Sequence, residues 1–419
     1  MMPAPSTRFL RIANGSRKPA AVVLGTNLIG LAVARSLRLD GVRVLGVDRT
    51  PQFPTSRSSA WDEIALVGEY HEADLIPWLC RVATGFREPP VLIASSDEQV
   101  KLVANAGRAL EDHFRVARAS RAATMLLMNK QAFAERAEIG GWPIPRTWSV
   151  TNAGELEAVL HEVTYPVILK PHMKNRAFHR LASAKAFRCD SEAALRAAYA
   201  GFASAEPEAI VQEWVEGPDH AIRFSFHYLT TTGEELGRFE GRKIRQWHPG
   251  VGSSASATRV AQPTVGEASL QVLRECGAAG FCSMEYKYDA VRKRYLIMEP
   301  TIGRPNLQVG AATAHGVDLV RIAYAHLTDR PVPATRPTRR TATWVLLRSD
   351  WRAARHYVAA GELTWAGWIR SLSWPLVPAL WRWTDRGLWG AQIGRVFRSV
   401  RRRLARARRA RAANPSPTP

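Results

Sequence analysis

A chain of 419 residues is too long for one compact domain and suits two or three. Its 46% hydrophobic share is ordinary for a folded protein. Its four cysteines (Cys80, Cys189, Cys276, Cys282) have neither metal-type spacing nor the density of a disulfide framework, and no apolar run reaches the length of a membrane-spanning helix. The first twenty residues lack the apolar core of a signal peptide, so the expected location is the cytoplasm. The net charge of +21 is unevenly distributed: no acidic residue follows Asp385, whereas nine arginines lie between Arg395 and Arg411. Only nine of the 58 basic residues are lysine, so a lysine in an apolar frame stands out as a choice of the compact ammonium.

Residues 1–19 read as a disordered leader. Ala20–Leu24 is an apolar strand, Gly25–Gly30 a glycine-bounded turn, Leu31–Leu39 a helical pattern and Val42–Val47 a second strand ending at Asp48. The turn lacks the middle glycine that lets backbone approach a pyrophosphate. A structural βαβ unit is therefore the leading reading, and a dinucleotide site using Gly25 to Asp48 the alternative. Val91–Ala94 is another buried strand, and Ser95–Glu98 caps a helix running to about Leu110. Residues 20–124 thus form a small α/β domain.

Asn129-Lys130 precedes a helix over Gln131–Glu138, which Gly140-Gly141 ends. Glu155–Val163 reads as a helix, and Tyr165–Pro171 as a buried strand closed by Lys170. That ammonium either meets a ligand or snorkels to water from an edge. His172–Ala186 is a loop rich in basic side chains, Lys174 among them. Ala209–Trp214 is a strand, Arg223–Thr230 and Leu236–Ile244 an antiparallel pair, Gly250–Ser256 a small-residue loop and Glu267–Ala279 a helix.

Phe281–Asn306 is the most informative stretch. Two apolar, aromatic-rich runs flank a polar connection, the pattern of a hairpin. If Asp289 faces Tyr295 across a five-residue loop, Glu285 lands opposite Glu299. Facing carboxylates in a sheet repel unless a cation lies between them or one is protonated. Two carboxylates completed by substrate phosphates suit Mg²⁺. The bland alternative is a different register with one glutamate in solvent.

In order and spacing, Asn129-Lys130, the PVILKP strand, VQEWVEGPD and the acids Glu285 and Glu299 resemble the ATP-grasp superfamily, in its carbamoyl-phosphate-synthase-like, carboxylate–amine ligase branch. The match covers residues 125–330, and the preceding unit resembles a pre-ATP-grasp domain. The resemblance implies a Rossmann-like α/β domain followed by a two-lobed α+β ATP-grasp fold. It also implies ATP and Mg²⁺ (or Mn²⁺) as cofactors. Lys130, Lys170 and Lys174 would contact phosphates, the hinge Gln212, Glu213, Trp214 and Val215 would read adenine, and Asp219 would hold the ribose. Glu285, Glu299 and Thr301 would hold metal, with Lys243, Arg245 and Arg304 near the transferred phosphate and the substrates. Arg304 would fork onto a substrate carboxylate or pair with Glu299. Two departures weaken specific roles: Thr301 stands where the family usually has Asn, and residues 172–179 replace the usual glycine- or serine-rich phosphate loop.

The expected activity is ATP-dependent joining of a small carboxylate to a small amine through an acyl-phosphate, with ADP released. The alternative is a catalytically altered nucleotide-binding or scaffold protein at a membrane surface. Residues 331–419 lie outside the resemblance and read as a Trp/Arg-rich helical extension with a disordered end, carrying eight of the fourteen tryptophans. Gly390–Arg411 has arginines and apolar residues at helical spacing. An amphipathic helix on an anionic membrane surface, at the inner face, competes there with a helix packed on its own domain; nucleic acid is the disfavoured partner. Oligomeric state leaves no mark in the sequence.

Overall fold

The computed structural model describes residues 2–52, 54–69, 71–171, 186–204, 206–338 and 341–390. The first unit is a parallel sheet of β1 (Ala21–Leu24), β2 (Val44–Asp48), β3 (Glu63–Leu66) and β4 (Val91–Ala94), in order β3-β2-β1-β4. The turn after β1 shows why the middle glycine is dispensable. Asn27 caps the helix Leu28–Leu39, its Oδ1 accepting from the backbone of Ile29 and Gly30 at 2.9 and 3.0 Å. Asp48 Oδ2 accepts from Thr26 N at 2.6 Å and Oγ1 at 2.8 Å, so the acid after β2 closes the turn. This is the structural βαβ reading.

The leader expectation is corrected. Thr7–Asn14 is a helix, capped by Ser6 through a 3.1 Å bond from Phe9 N. Phe9 and Ala13 bury themselves in the same apolar cluster as β1 and β2, with Phe9 edge-on to Phe86. An amphipathic segment that reaches an existing core gains the burial energy that a free leader lacks. The helix after β4 also stops earlier than expected, at Ala106, where Gly107 takes a positive φ.

A four-stranded antiparallel sheet follows: β5 (Thr147–Val150), β6 (Val167–Pro171), β7 (Phe187–Cys189) and β8 (Ala209–Glu213), in order β5-β8-β6-β7. The third sheet has seven strands: β9 (Ile222–Leu229), β10 (Glu235–Trp247), β11 (Ser253–Arg259), β12 (Gly280–Asp289), β13 (Arg294–Ile302), β14 (Thr343–Val345) and β15 (Leu376–Pro378), in order β13-β12-β9-β10-β11-β14-β15. β11 takes half of the expected small-residue loop: Ser254, Ala255 and Ser256 are small because they are buried in a strand.

The C-terminal segment is helical only in part: Leu347–Ala359 and Trp365–Arg370 are helices, but they alternate with strands of the large sheet. β14 and β15 extend the large sheet, and Trp344 is buried in its main core beside Val309 and Ala312. Two buried ion pairs tie the segment down. Asp350 takes both ends of the Arg245 fork at 2.8 and 3.0 Å, and Asp385 binds Arg35 at 2.9 Å on the helix after β1. The tryptophans divide: Trp368 and Trp389 donate to Asp350 and to the Arg382 carbonyl, whereas Trp374 and Trp383 are exposed. The basic helical pattern beyond Gly390 and its membrane reading lie outside the described residues. Among those described, no helix is long and apolar enough to cross a membrane.

Phe9→Ala should lower the stability of the first unit by about 3 kcal/mol, the scale of a buried Phe truncation. A urea midpoint unchanged from wild type would return residues 7–14 to the status of a loose leader.

Candidate functional site

The third sheet carries the acids and the second carries the lysines, and a cleft of about 440 Å³ opens between them. An adjoining recess of about 120 Å³ mixes apolar walls from Leu127, Phe133, Ile144 and Ile297 with polar ones from Thr147 and Gln212. Both cavities share Asp97, Lys130, Lys170, Glu299, Thr301 and Arg304.

The hairpin brings Glu285 opposite Glu299, but not by the expected register. Asp289 faces Arg294 and Tyr288 faces Tyr295, so the connecting loop is one residue shorter than drawn. A bulge between Tyr286 and Glu285 then inserts Met298 and restores the acid pair. Two one-residue errors cancel. Cys282, Met284 and Tyr286 pack into one apolar cluster, so strand alternation puts Ser283, Glu285 and Lys287 on the opposite face, toward the cleft.

Lys243 on β10 reaches across β9 to Glu285, Nζ to Oε1 2.8 Å, and also donates to Gln246 Oε1 at 3.1 Å. An ammonium therefore rests against one of the two facing carboxylates. Lys130 begins the helix Lys130–Gly140, whose N-cap Asn129 accepts from Ala132 N at 3.0 Å. The Asn-Lys pair thus combines a helix cap with a cleft-lining cation. Lys170 on β6 donates to Gln212 Oε1 at 2.8 Å, and Gln212 in turn donates to Thr147 Oγ1 at 2.9 Å. This places Lys170 at the cleft wall rather than at a solvent edge.

Glu213, Trp214 and Val215 line the cleft. Arg292 from the hairpin loop holds the Glu213 carboxylate at 2.7 and 2.9 Å. Trp214 Nε1 is buried without a hydrogen-bond partner among the described residues. Gly250 faces this ring: it has φ +77°, and a Cβ there would lie 3.2 Å from it.

Two assignments are corrected by position, and the alternative partner of a third is changed. Asp219 does not line the cleft; it is buried and accepts from Gln246 N, Gln246 Nε2, Gly250 N and the Tyr357 hydroxyl. It fixes the β10–β11 turn rather than presenting a carboxylate to a sugar. Arg245 also lies off the cleft, forked onto Asp350 with a third bond to Ser371 at 2.6 Å. Arg304 does line it, but its partner is Asp97 at 2.6 Å rather than Glu299. Lys174 and the phosphate-loop segment 172–185 fall outside the described residues. The sequence reading missed Asp97, Lys287, Asn306 and Gln308, which all line the cleft. Asn306 donates to Ser283 at 2.7 Å, and its place seven residues after Glu299 was the available signal.

The donor set fits a magnesium–nucleotide complex. Glu285 and Glu299 face each other, Thr301 lies on the same strand as Glu299, and cations line the cleft around them. Among the described residues no group of three or more His, Cys, Asp or Glu gathers as a self-sufficient metal site.

Breaking the Arg245–Asp350 pair should cost stability rather than chemistry. Asp350→Ala strands a buried guanidinium, and we expect a loss of about 3–5 kcal/mol in unfolding free energy. Nucleotide affinity, measured well below the lowered melting temperature, should stay within twofold of wild type; a selective loss of affinity would return Arg245 to the site.

No protein-family model and no curated protein matches this chain. Solved structures do. An N5-carboxyaminoimidazole ribonucleotide synthetase in complex with ADP superposes with a TM-score of 0.61 at 16% identity, over 82% of this chain and 86% of that one. An N5-carboxyaminoimidazole synthetase from Staphylococcus aureus, also with ADP, gives 0.60 at 14% identity over 80% and 84%. The biotin carboxylase domain of a 2-oxoglutarate carboxylase from Hydrogenobacter thermophilus, with MgADP and bicarbonate, gives 0.59 at 15% over 78% and 74%. The likeness takes in most of this chain, which has the fold that these synthetases and this carboxylase share, the fold implied by the ATP-grasp resemblance.

Proposed function

We propose that the chain is an ATP-dependent ligase that joins a small carboxylate to a small amine and releases ADP and phosphate. The observation that carries this reading is the convergence in one cleft of Lys130, Lys170, Lys243 and Arg304 with the facing pair Glu285 and Glu299. Such a site neutralises phosphate charge and contains no activated nucleophile among the described residues, which suits transfer of a phosphoryl group between bound substrates.

In the proposed reaction a substrate carboxylate oxygen attacks the γ-phosphorus of ATP, and the bond to the bridging oxygen breaks to release ADP. The amine lone pair then attacks the acyl carbon. Phosphate leaves with the bonding pair and the nitrogen gives up a proton. Lys130 and Lys170 would hold phosphate oxygens through charge-assisted bonds. Glu285, Glu299 and Thr301 would hold Mg²⁺, which draws charge from the phosphates when bound. Lys243 already neutralises Glu285 and would turn toward the transferred phosphate as metal enters. Arg304, oriented by Asp97, would take the substrate carboxylate. The hinge backbone at Glu213–Val215 would read the base, because Arg292 occupies the Glu213 side chain. ADP bound in the similar synthetase and carboxylase structures supports the nucleotide part of this reading.

The test is ADP release from Mg-ATP across a panel of carboxylate and amine pairs. At least one pair should raise release well above the background without substrate. Glu285→Gln and Glu299→Gln should each abolish it while the circular dichroism spectrum is kept. Lys170→Ala should slow it by roughly 10²-fold, the scale of removing a preorganised charge stabiliser. Turnover that persists in both Gln variants, or that ignores removal of divalent metal, refutes the assignment.

A further inference from the structure

Lys287 has no role in the reaction just described, yet it occupies an unusual place. It is 4% exposed, lines the cleft, and makes neither a hydrogen bond nor an ion pair among the described residues. The ring of Trp214 lies 5.1 Å from its ammonium. Burial pulls its pKa below the usual lysine range, an effect that Asp219 and Glu216 oppose at a distance and that Arg188 and Lys243 reinforce. The ring face steadies the charge but is no hydrogen-bond acceptor of the ordinary kind, so the three donors of an ammonium that lines the cleft are left for a ligand.

The position of Lys287 says which part of a ligand it meets. It follows Glu285 by two residues on β12, so both side chains leave the same face, about 7 Å apart along the strand. Glu285 and Lys243 mark the metal and phosphate end. Lys287 lies on the other side, toward the hinge: it pairs with Ile222 across β9, and its stem passes 3.9 Å from where a Gly217 Cβ would lie. Around it the cleft is apolar and aromatic, with Ile168, Trp214, Val215, Ile222 and Met298. The carboxylate expected to bind the sugar there, Asp219, is already saturated by four protein donors.

Resting on the nucleotide reading of this cleft, we propose that Lys287 grips the nucleoside half of the bound nucleotide, donating to acceptor oxygens or ring nitrogens of its sugar and base. An ammonium donor thus takes the place that a carboxylate acceptor would have filled. Trp214, whose buried Nε1 has no hydrogen-bond partner among the described residues, lines the cleft beside it.

The test uses the full-length protein, two magnesium-loaded probes and calorimetric titration. ATP carries both halves of the ligand; inorganic tripolyphosphate carries the phosphate half alone. In Lys287→Met the dissociation constant for ATP should rise by about tenfold or more, the scale of one charge-assisted hydrogen bond. That for tripolyphosphate should stay within twofold. Equal losses for both probes would make Lys287 a phosphate ligand, and no loss for either would leave it without a ligand; each result overturns the proposal. The melting temperature without ligand supplies an independent reading. Replacing an ammonium that has no hydrogen-bond acceptor among the described residues with an apolar side chain of similar length should leave it within a few degrees, whereas a larger fall, or failure to fold, would show that Lys287 serves the fold instead. A folded wild-type chain that binds neither probe refutes the ligase reading, and this inference with it.

Discussion

Two carboxylates face each other on adjacent strands, and the rest of the site is arranged around that repulsion. Glu285 and Glu299 are cross-strand partners held in register by a bulge, in a hairpin whose buried face packs too well to slip. The sheet answers with Lys243, carried on β10 two strands away, whose ammonium reaches Glu285. Gln246 holds that ammonium from the other side and is itself fixed by Asp219. A chain of polar contacts therefore runs from the facing acids to the turn after β10, and on to Tyr357 in the C-terminal segment. A partly satisfied network of this kind would be unstable in a buried setting, which explains why so many of its members are spoken for.

That chain gives the C-terminal segment a purpose. Residues 341–390 complete the large sheet with β14 and β15, supply Asp350 to the buried Arg245 and supply Asp385 to Arg35 on the first unit. Each pair joins parts of the chain more than a hundred residues apart. The sheet that carries the acids is thereby anchored on one side to the parallel-sheet unit. Its face bearing Glu285 and Lys287 lines the cleft that also takes Lys170 from the smaller sheet.

The cleft itself is divided by chemistry. One end gathers Lys130, Lys170, Lys243 and Arg304 around the acids. The other is lined by Trp214, Val215, Ile222 and Met298, with Lys287 among them. A ligand with an anionic half and a flat, largely apolar half matches this division.

Local pattern was enough for the first unit's βαβ order, for the strand ending in Lys170, for the β9–β10 pair and for the facing of Glu285 and Glu299. Each rests on periodicity, turn residues or charge within a short window, where strand alternation and capping act directly. The hairpin came out right although its loop and its bulge were both misjudged, because the two shifts cancel and burial of Met284 and Tyr286 selects the face. Roles that depend on distant partners were decided only in three dimensions. Asp219 and Arg245 look like site residues in isolation; Tyr357 and Asp350, 138 and 105 positions away, claim them for the framework. Asp97 and Lys287 carry no local signal, since one resembles a helix-start acid and the other a strand-edge lysine. Residues 7–14 read as a leader until a core exists for Phe9 to enter. The sequence by itself determined which segments could be strands or helices and which charges were out of place. Tertiary packing alone decided which of those charges meet a ligand, because a buried charge takes whatever partner the fold brings to it, and that partner lies far away along the chain.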